Sequence, residues 1–295
     1  MFLLQNKAII SLTCQNLLNV KPGHMIKLFS VSILAIAIFG VCSFSKKSTA
    51  NFRVVPTSAP ETKLQSQTVY EMRIYYAAPG KLEDLNTRFR NHTMRIFAKH
   101  GMTNIGYWIP IENPENKLVY ILSYPGREAR DASWKDFSAD PEWQAVAKAS
   151  EANGKIVTKV ESTFMLATDY SPALQMVASP QPRTFELRTY TASAGNLQNL
   201  HDRFRNHTLK LFEKHGITNI AYFQPMDSAN GNKSDKLIYL IAHKDKTSAD
   251  ESWKAFREDP VWIAAKSASE IKGGGSLTTK VESVFMLPTD YSPIK

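Results

Sequence analysis

The hexapeptide Arg88-Phe-Arg-Asn-His-Thr93 recurs unchanged as Arg203-Phe-Arg-Asn-His-Thr208, 115 positions further along the chain. A segment before it is repeated at the same distance, as Glu71-Met-Arg-Ile-Tyr75 and Glu186-Leu-Arg-Thr-Tyr190. Similarity at a fixed period indicates that one structural unit occurs twice. The offset grows later in the second copy, which places insertions near 229–235 and 273–275, in Gly-, Asn- and Ser-rich stretches typical of loops.

The repeat divides the chain into five parts. Residues 68–172 and 184–295 form two homologous domains, which share the motif Thr-Asp-Tyr-Ser-Pro at their ends, closing at Pro172 and Pro293. Residues 173–183 contain two prolines and no periodic apolar pattern, which predicts an extended linker. Residues 51–67 form a similar polar lead-in, and residues 1–50 form a leader.

Each copy has the pattern of a βαββαβ unit. In the first, alternation over 70–76 predicts a strand, and apolar residues three and four apart over 81–100 predict a helix. Further strands are predicted at 105–109, 118–124 and 158–166, with helical segments from about 131 and, after the N-cap Asp140, from Pro141. This order is typical of the ferredoxin-like α+β fold, whose helices cover one sheet face. Two tandem copies can cover each other's open face, so we expect one intramolecular barrel.

Three ordered motifs resemble the NIPSNAP family, and each occurs in both copies. The first is Tyr-Glu-x-Arg-x-Tyr, which starts at Tyr70 and, with Phe in place of the first Tyr, at Phe185. The second is Arg-x-x-x-His-x-x-x-x-x-x-x-His-Gly, which starts at Arg88 and Arg203. The third is Trp-x-x-Phe-x-x-Asp-Pro-x-Trp, which starts at Trp134 and Trp253. The resemblance implies a dimeric α/β-barrel, here within one chain. It implies no single reaction, because distant barrel relatives include cofactor-free oxygenases, haem-degrading enzymes, isomerases and stress proteins.

Composition removes several function classes. The 295 residues carry a formal charge of +9, but residues 1–50 hold five lysines and no acidic residue, so the rest carries only +4 and nucleic-acid binding loses its support. Both cysteines, Cys14 and Cys42, lie in the leader, so the two domains have no thiol for catalysis, a disulfide or zinc. No histidine pair has the spacing of a helical metal site, and no phosphate-binding glycine loop occurs. We expect no metal and no cofactor.

The leader has the pattern of an export signal. Residues 28–44 are uncharged and mostly apolar and directly follow Met25-Ile26-Lys27. We predict a periplasmic or secreted protein, with Met25 as an alternative start to Met1. Two alternatives attach the chain to a membrane: an uncleaved anchor, since about 17 apolar residues is the lower limit for a span, and a lipid on Cys42.

One histidine lies on the apolar stripe of the first predicted helix in each copy: His92 and His207. The stripe runs Leu82-Leu85-Phe89-His92-Ile96, and His207 holds the equivalent position, so each imidazole is predicted to face the sheet. One hypothesis makes them core histidines with a satisfied hydrogen bond. The other places them in a cleft between helix and sheet as general bases. Four neighbours could bind an anionic or carbonyl group there: Arg88, Asn91, Arg203 and Asn206.

Polar side chains also alternate along the first strand of each copy. We predict that they share the sheet face opposite the helices, which the barrel turns inward: Glu71, Arg73, Tyr75, Glu186, Arg188 and Tyr190. Buried charges must be paired or hydrated. These residues therefore form either a Glu–Arg network that fixes the register of the two sheets or a polar, ligand-holding interior.

The remaining candidates have structural explanations. His100 and His215 are expected as cations in the last turn of a helix, and the five tryptophans as packing groups. The prediction is an exported protein that binds a small aromatic or carbonyl-containing molecule. The alternatives are a cofactor-independent oxygenase or isomerase with His92 or His207 as general base, and a structural envelope protein. A homodimer of the two-domain chain stays open.

Overall fold

A computed structural model describes residues 67–176, 181, 183–226 and 234–295. The predicted export signal, the lead-in up to residue 66 and much of the linker lie outside these ranges. Within them, no helix has both the length and the apolar character needed to cross a bilayer.

Both copies fold as predicted, in the order βαββαβ. The first copy consists of β1 (Val69–Ala77), α1 (Leu82–Arg88), a π-helical turn (Phe89–Thr93), α2 (Met94–Lys99), β2 (Thr103–Pro110), β3 (Lys117–Tyr124), α3 (Arg127–Ala139), α4 (Pro141–Ser150) and β4 (Val157–Ala167). The second consists of β5 (Thr184–Ala192), α5 (Leu197–Arg203), a π-helical turn (Phe204–Thr208), α6 (Leu209–Lys214), β6 (Thr218–Pro225), β7 (Lys236–His243), α7 (Lys246–Glu258), α8 (Pro260–Gly273) and β8 (Thr278–Pro288).

The eight strands close into one antiparallel barrel, which confirms the predicted intramolecular arrangement. The strand order is β1-β3-β2-β8-β5-β7-β6-β4. The two four-stranded sheets meet at two seams, where β2 pairs with β8 from Trp108 opposite Pro288, and β4 pairs with β6 from Met165 opposite Pro225. Each half therefore supplies the edge partner that the other half lacks.

Apolar side chains from both halves fill the barrel. The packed interior includes Met72, Trp108, Met165, Phe185, Leu187, Phe223, Leu240 and Met286. The Trp108 ring lies over Gly106, where a Cβ atom would come within 2.2 Å of it, and the second half has Ala221 with the smaller Phe223 at these positions. The barrel interior is therefore a hydrophobic core. A further apolar core lies between each of the two sheets and its own helices.

Asp140 and Asp259 are the N-caps of α4 and α8, and each also binds the end of another helix, α2 or α6. Asp140 accepts from the backbone of Glu142 as the predicted N-cap, and its Oδ2 lies 2.7 Å from Lys99 Nζ and 2.6 Å from His100 Nε2. Asp259 makes the same contacts in the second copy. Hydrogen bonds from the lysine and the histidine hold the pKa of each aspartate well below its usual range. His100 and His215 thus lie at helix ends, as predicted, and join two helices.

Candidate functional site

Glu71 is the centre of a buried polar cluster under the helices of the first half. Its carboxylate accepts hydrogen bonds from Arg73 (2.5 Å), Arg130 (2.8 and 3.0 Å), Ser162 (2.7 Å), Tyr124 (3.1 Å) and Trp134 (3.2 Å). Burial alone would raise the pKa of Glu71, but the hydrogen bond from Arg130 and the charge of Arg73 lower it to about 2. The carboxyl group is therefore ionised throughout the neutral range.

Glu186 has the same place in the second half but different partners. It accepts from Arg188, from Ser283 Oγ at 2.6 Å and from Trp253 Nε1 at 2.8 Å, and lies 3.1 Å from His243 Nε2. Burial again acts to raise the pKa of Glu186, but the hydrogen bond with His243 and the charge of Arg188 lower it to about 2. His243 stands where the first half has Tyr124, and Ala249 stands where it has Arg130, so this carboxylate is held by one arginine instead of two.

The predicted direction of these first-strand side chains is wrong. Glu71, Arg73 and Tyr75, like Glu186, Arg188 and Tyr190, face the helices, and the alternate residues such as Met72 face the barrel interior. Both faces of the strand are buried, so its alternation cannot tell which face the helices cover. The carboxylate faces α3 because that helix supplies Arg130 and Trp134 as partners. The network joins each sheet to its own helices; it does not set the register between the two sheets.

The prediction that His92 and His207 face the sheet is also wrong, because both side chains are exposed. Each lies in a π-helical turn, in which backbone hydrogen bonds span five residues and each residue turns through a smaller angle. This change in the angle between successive side chains buries Thr93 and Thr208 in place of the histidines. Their hydroxyl groups donate to the carbonyls of Arg88 and Arg203. Asn91 and Asn206 are exposed as well.

Replacing either exposed histidine by leucine is therefore expected to change the free energy of unfolding by less than about 0.5 kcal/mol. The measurement is urea denaturation of the full chain with His92→Leu and His207→Leu. A loss of about 1–3 kcal/mol in either variant would contradict the exposed position, since it would indicate a buried hydrogen bond.

A large cleft lies between the helices and the sheet of the second half. It has a volume of about 850 Å³, and a neighbouring chamber of about 320 Å³ shares Tyr190, Phe256 and Trp262 with it. Arg188 lies in the cleft with its guanidinium carbon 4.4 Å from the centre of the Trp253 ring. The cleft thus combines aromatic walls with a cation beside them.

Arg203 lines the chamber and is poorly paired for a buried charge. Its side chain is 6% exposed, its Nε has no hydrogen-bond partner in the described chain, and Nη1 lies 3.4 Å from Ser269 Oγ and 3.9 Å from Glu270 Oε1. Burial lowers the pKa of this guanidinium from its ordinary value. Cleft and chamber together are lined by four cationic side chains and one carboxylate: Arg188, Arg203, Arg257, Lys266 and Glu270.

The first half has only a reduced version of this cleft. Arg88, Tyr75 and Trp143 line a groove of about 310 Å³. Arg88 Nη1 lies 3.2 Å from Ser150 Oγ and 3.4 Å from Glu151, closer to its partners than Arg203 is to its own. Arg88 and His92 both line a second groove, of about 620 Å³, between α1 and α4, and Arg88 Nε, like Arg203 Nε, has no hydrogen-bond partner in the described chain. The structure therefore places Arg188 at the cleft, Arg203 at the neighbouring chamber and Tyr190 at both, and leaves His92, His207 and both asparagines outside them.

Sequence reasoning missed several lining residues of the cleft. The sequence pattern predicts packing roles for Trp253 and Trp262 and does not single out Lys266 or Glu270. The available signal is the insertion at 273–275, because α8 has 14 residues where α4 has 10, and Gly274 and Gly275 line the cleft.

Comparison with known proteins covers both copies. The chain matches the NIPSNAP family over residues 70–172 and 185–293. Mouse (Mus musculus) NipSnap homolog 3B is 24% identical over 229 residues, which are 77% of this chain and 86% of that protein. An anthrone oxidase-like protein has a similar structure, with a TM-score of 0.51 and 10% identity over 78% of this chain and 95% of that one. A NIPSNAP-like domain protein from Burkholderia xenovorans gives a TM-score of 0.34 and 23% identity over 39% of this chain and 97% of that one.

Proposed function

The chain belongs to the NIPSNAP family, and we propose that its second half binds a small organic anion with an apolar body in the cleft between helices and sheet. The observation that carries the proposal is Arg203, a buried arginine that lines the chamber beside aromatic walls and further cations, and whose Nε, like that of Arg88 in the first half, has no partner among the described residues. A buried charge without good hydrogen bonds destabilises a fold, and residues that are kept in spite of this are commonly functional.

The charge of the cleft favours an anion. Among the described residues, four cationic side chains and one carboxylate line cleft and chamber, and that carboxylate, Glu270, lies 3.6 Å from Lys266 and 3.9 Å from Arg203. An arginine presents several N–H groups in a fixed plane, which matches the two oxygens of a carboxylate. A ligand carboxylate at Arg203 would supply the hydrogen bonds that the protein does not.

The walls favour an apolar body. Trp253, Phe256 and Trp262 line the space beside the cations, and the barrel interior, the alternative location, is filled by side chains. Pockets that combine aromatic walls with a few polar groups are typical of small-molecule sites. The predicted export signal would place this binding outside the cytoplasm.

The enzyme hypothesis has no support in this cleft. It required His92 or His207 as general base, and no histidine lines the cleft or the chamber in the described part of the chain. We therefore propose binding without turnover.

Two fluorescent probes test the proposal. Anilinonaphthalenesulfonate is an aromatic anion, and N-phenylnaphthylamine has the same ring system without the charge. The full chain is expected to bind the sulfonate, and Arg203→Gln is expected to weaken that binding about tenfold or more while changing binding of the neutral amine less than twofold, since a charged hydrogen bond contributes about 1.5–3 kcal/mol.

Arg88→Gln in the first half is the matched control, because Arg88 holds the equivalent position but lines smaller grooves and lies closer to its own partners, Ser150 and Glu151. It is expected to leave sulfonate binding unchanged. Thermal denaturation checks that both proteins are folded. Equal binding of the sulfonate by the folded wild type and folded Arg203→Gln would contradict the proposal.

A further inference from the structure

Most of strand β8 has a neighbouring strand on one edge only. Residues 278–286 pair with β5, whereas pairing with β2 on the other edge is limited to residues 286–288. Ile111 N donates to Phe285 O on this outer edge, and no other described strand continues the pairing along β8. Residues 279–284 are all exposed. Such an edge presents backbone N–H and C=O groups with which another strand can pair.

The backbone groups on the outer edge come from alternate residues. Because the carbonyl of Phe285 lies on this edge, the period of two in a strand turns the N–H and C=O groups of Ser283 and Val281 to the same edge. Thr279 has no partner in the register with β5, which shifts beside it. The regular outer edge therefore covers residues 280–284.

The charges on this edge are complementary to themselves. In an antiparallel pair of two β8 strands centred on Val281, Lys280 of each copy lies opposite Glu282 of the other. Val281 would form the hydrogen-bonded pair, so the charged residues fall in the non-hydrogen-bonded pairs, where side chains approach most closely. Opposite charges at such positions stabilise a strand pair. A lysine on an edge strand normally opposes pairing, but here a glutamate lies opposite it.

Apolar side chains accompany the charged pair. Val281 is 48% exposed, Val284 39% and Leu287 48%. The first half has Thr163 and Leu166 at the positions of Val284 and Leu287, and both are half-buried. An exposed apolar strand edge favours pairing with another chain. The outer edge of β8 is therefore more apolar than that of β4.

The same pentapeptide, Thr-Lys-Val-Glu-Ser, occurs in β4, but its charges have an additional partner. The Tyr76 hydroxyl donates to Glu161 Oε1 at 3.0 Å, and Lys159 Nζ lies 4.5 Å from the centre of the Tyr76 ring. Strand β5 has Thr191 at the position of Tyr76, so β8 lacks this contact. The charges on β4 are thus held within their own half to a greater extent than those on β8.

We infer that two copies of this chain associate through the outer edges of their β8 strands, antiparallel and centred on Val281. The sheets of the two second halves then form one continuous sheet. The contact is short, so a dissociation constant of about 10–100 µM is expected, in the range of small and transient interfaces. Each barrel is closed by its own strands, so the monomer is complete at lower concentration. The inference goes beyond the proposed function because it needs no ligand.

Reversal of the two charges tests the inference on the full chain. Lys280→Glu and Glu282→Lys each place like charges opposite one another, and each is expected to weaken association about tenfold. An equal mixture of the two variants restores opposite charges across the strand pair. This mixture is expected to associate within about threefold of the wild type. Sedimentation velocity over a range of about 2–200 µM measures all four samples.

The first half supplies the matched control. Lys159→Glu and Glu161→Lys make the same changes in net charge within the same pentapeptide of β4, and each is expected to associate like the wild type. All four side chains are 43% exposed or more, so their replacement is not expected to unfold the protein.

The outcomes are decisive for the contact. A monomeric wild type at every concentration overturns the inference, and so does equal weakening by the β4 and β8 variants. Failure of the mixture to associate, with both single β8 variants weakened, overturns the register centred on Val281. Binding of anilinonaphthalenesulfonate in the cleft does not depend on any of these results, so the proposed function succeeds or fails separately.

Discussion

Replacing Glu71 by glutamine is expected to lower the free energy of unfolding by about 3–5 kcal/mol. The carboxylate is fully buried and compensates two arginines, Arg73 and Arg130, whose side chains are 12% and 18% exposed. Glutamine keeps the shape of the side chain but leaves both cations without their counter-charge. Removal of one partner from a buried ion pair is costly for this reason, whatever the intact pair contributes. Urea denaturation of the full chain measures the loss.

The second copy supplies a comparison for this result. Glu186→Gln leaves one arginine uncompensated, and that arginine, Arg188, borders the large cleft. We expect a smaller loss than for Glu71→Gln. Glu83→Gln is the exposed control and should change stability by less than about 0.5 kcal/mol. Losses as small for Glu71→Gln as for Glu83→Gln would show that the buried network is not formed.

The free energy of unfolding is expected to fall steeply as the pH drops from about 5 to about 2. The pKa of both Glu71 and Glu186 is about 2 in the folded protein, below the ordinary 4.5. Above pH 5 both groups are ionised in the folded and unfolded chain, so their stabilisation is complete. Below it, the unfolded chain binds protons that the folded protein does not. The difference corresponds to about 3 kcal/mol for each carboxyl group.

Glu186→Gln isolates one of these groups. Around pH 3 each carboxyl group that is protonated only in the unfolded chain adds a slope of up to about 1.4 kcal/mol per pH unit. The variant lacks one such group, so its unfolding free energy should decline less steeply with falling pH than that of the wild type. Surface aspartates add a further pH dependence that is the same in both proteins. Equal slopes would refute the lowered pKa of Glu186.

The fold could be read from the sequence because its signals are redundant. Two copies of one unit repeat the same alternation and helical spacing, and the open sheet face of one copy needs the other as cover. Single side chains were harder to place. The spacing from Phe89 to His92 and Ile96 fits an α-helix, and no residue type in the repeated hexapeptide of residues 88–93 indicates a π-helical turn. The first strand is buried on both faces, so the side that Glu71 faces depends on partners from α3, about 60 residues away.

The cleft was missed for a related reason. Its size follows from a helix that extends four residues beyond its counterpart, from 10 residues to 14, and the inserted glycines indicated only a longer loop. The sequence does indicate Arg188, Tyr190 and Arg203 as candidate binding residues. Their positions along the cleft and its neighbouring chamber depend on the orientation of α8, which spacing along the chain does not encode.

The covalent link between the two halves removes a constraint of symmetry. In a barrel made of two identical chains, every substitution appears twice, so a change that opens one cleft opens both and weakens both buried networks. Here Arg130 supports the carboxylate of one half, while Ala249 and His243 stand beside the carboxylate of the other. Closure of the barrel is also unimolecular, so its stability should not depend on protein concentration. One half can remain the scaffold while the other changes its specificity.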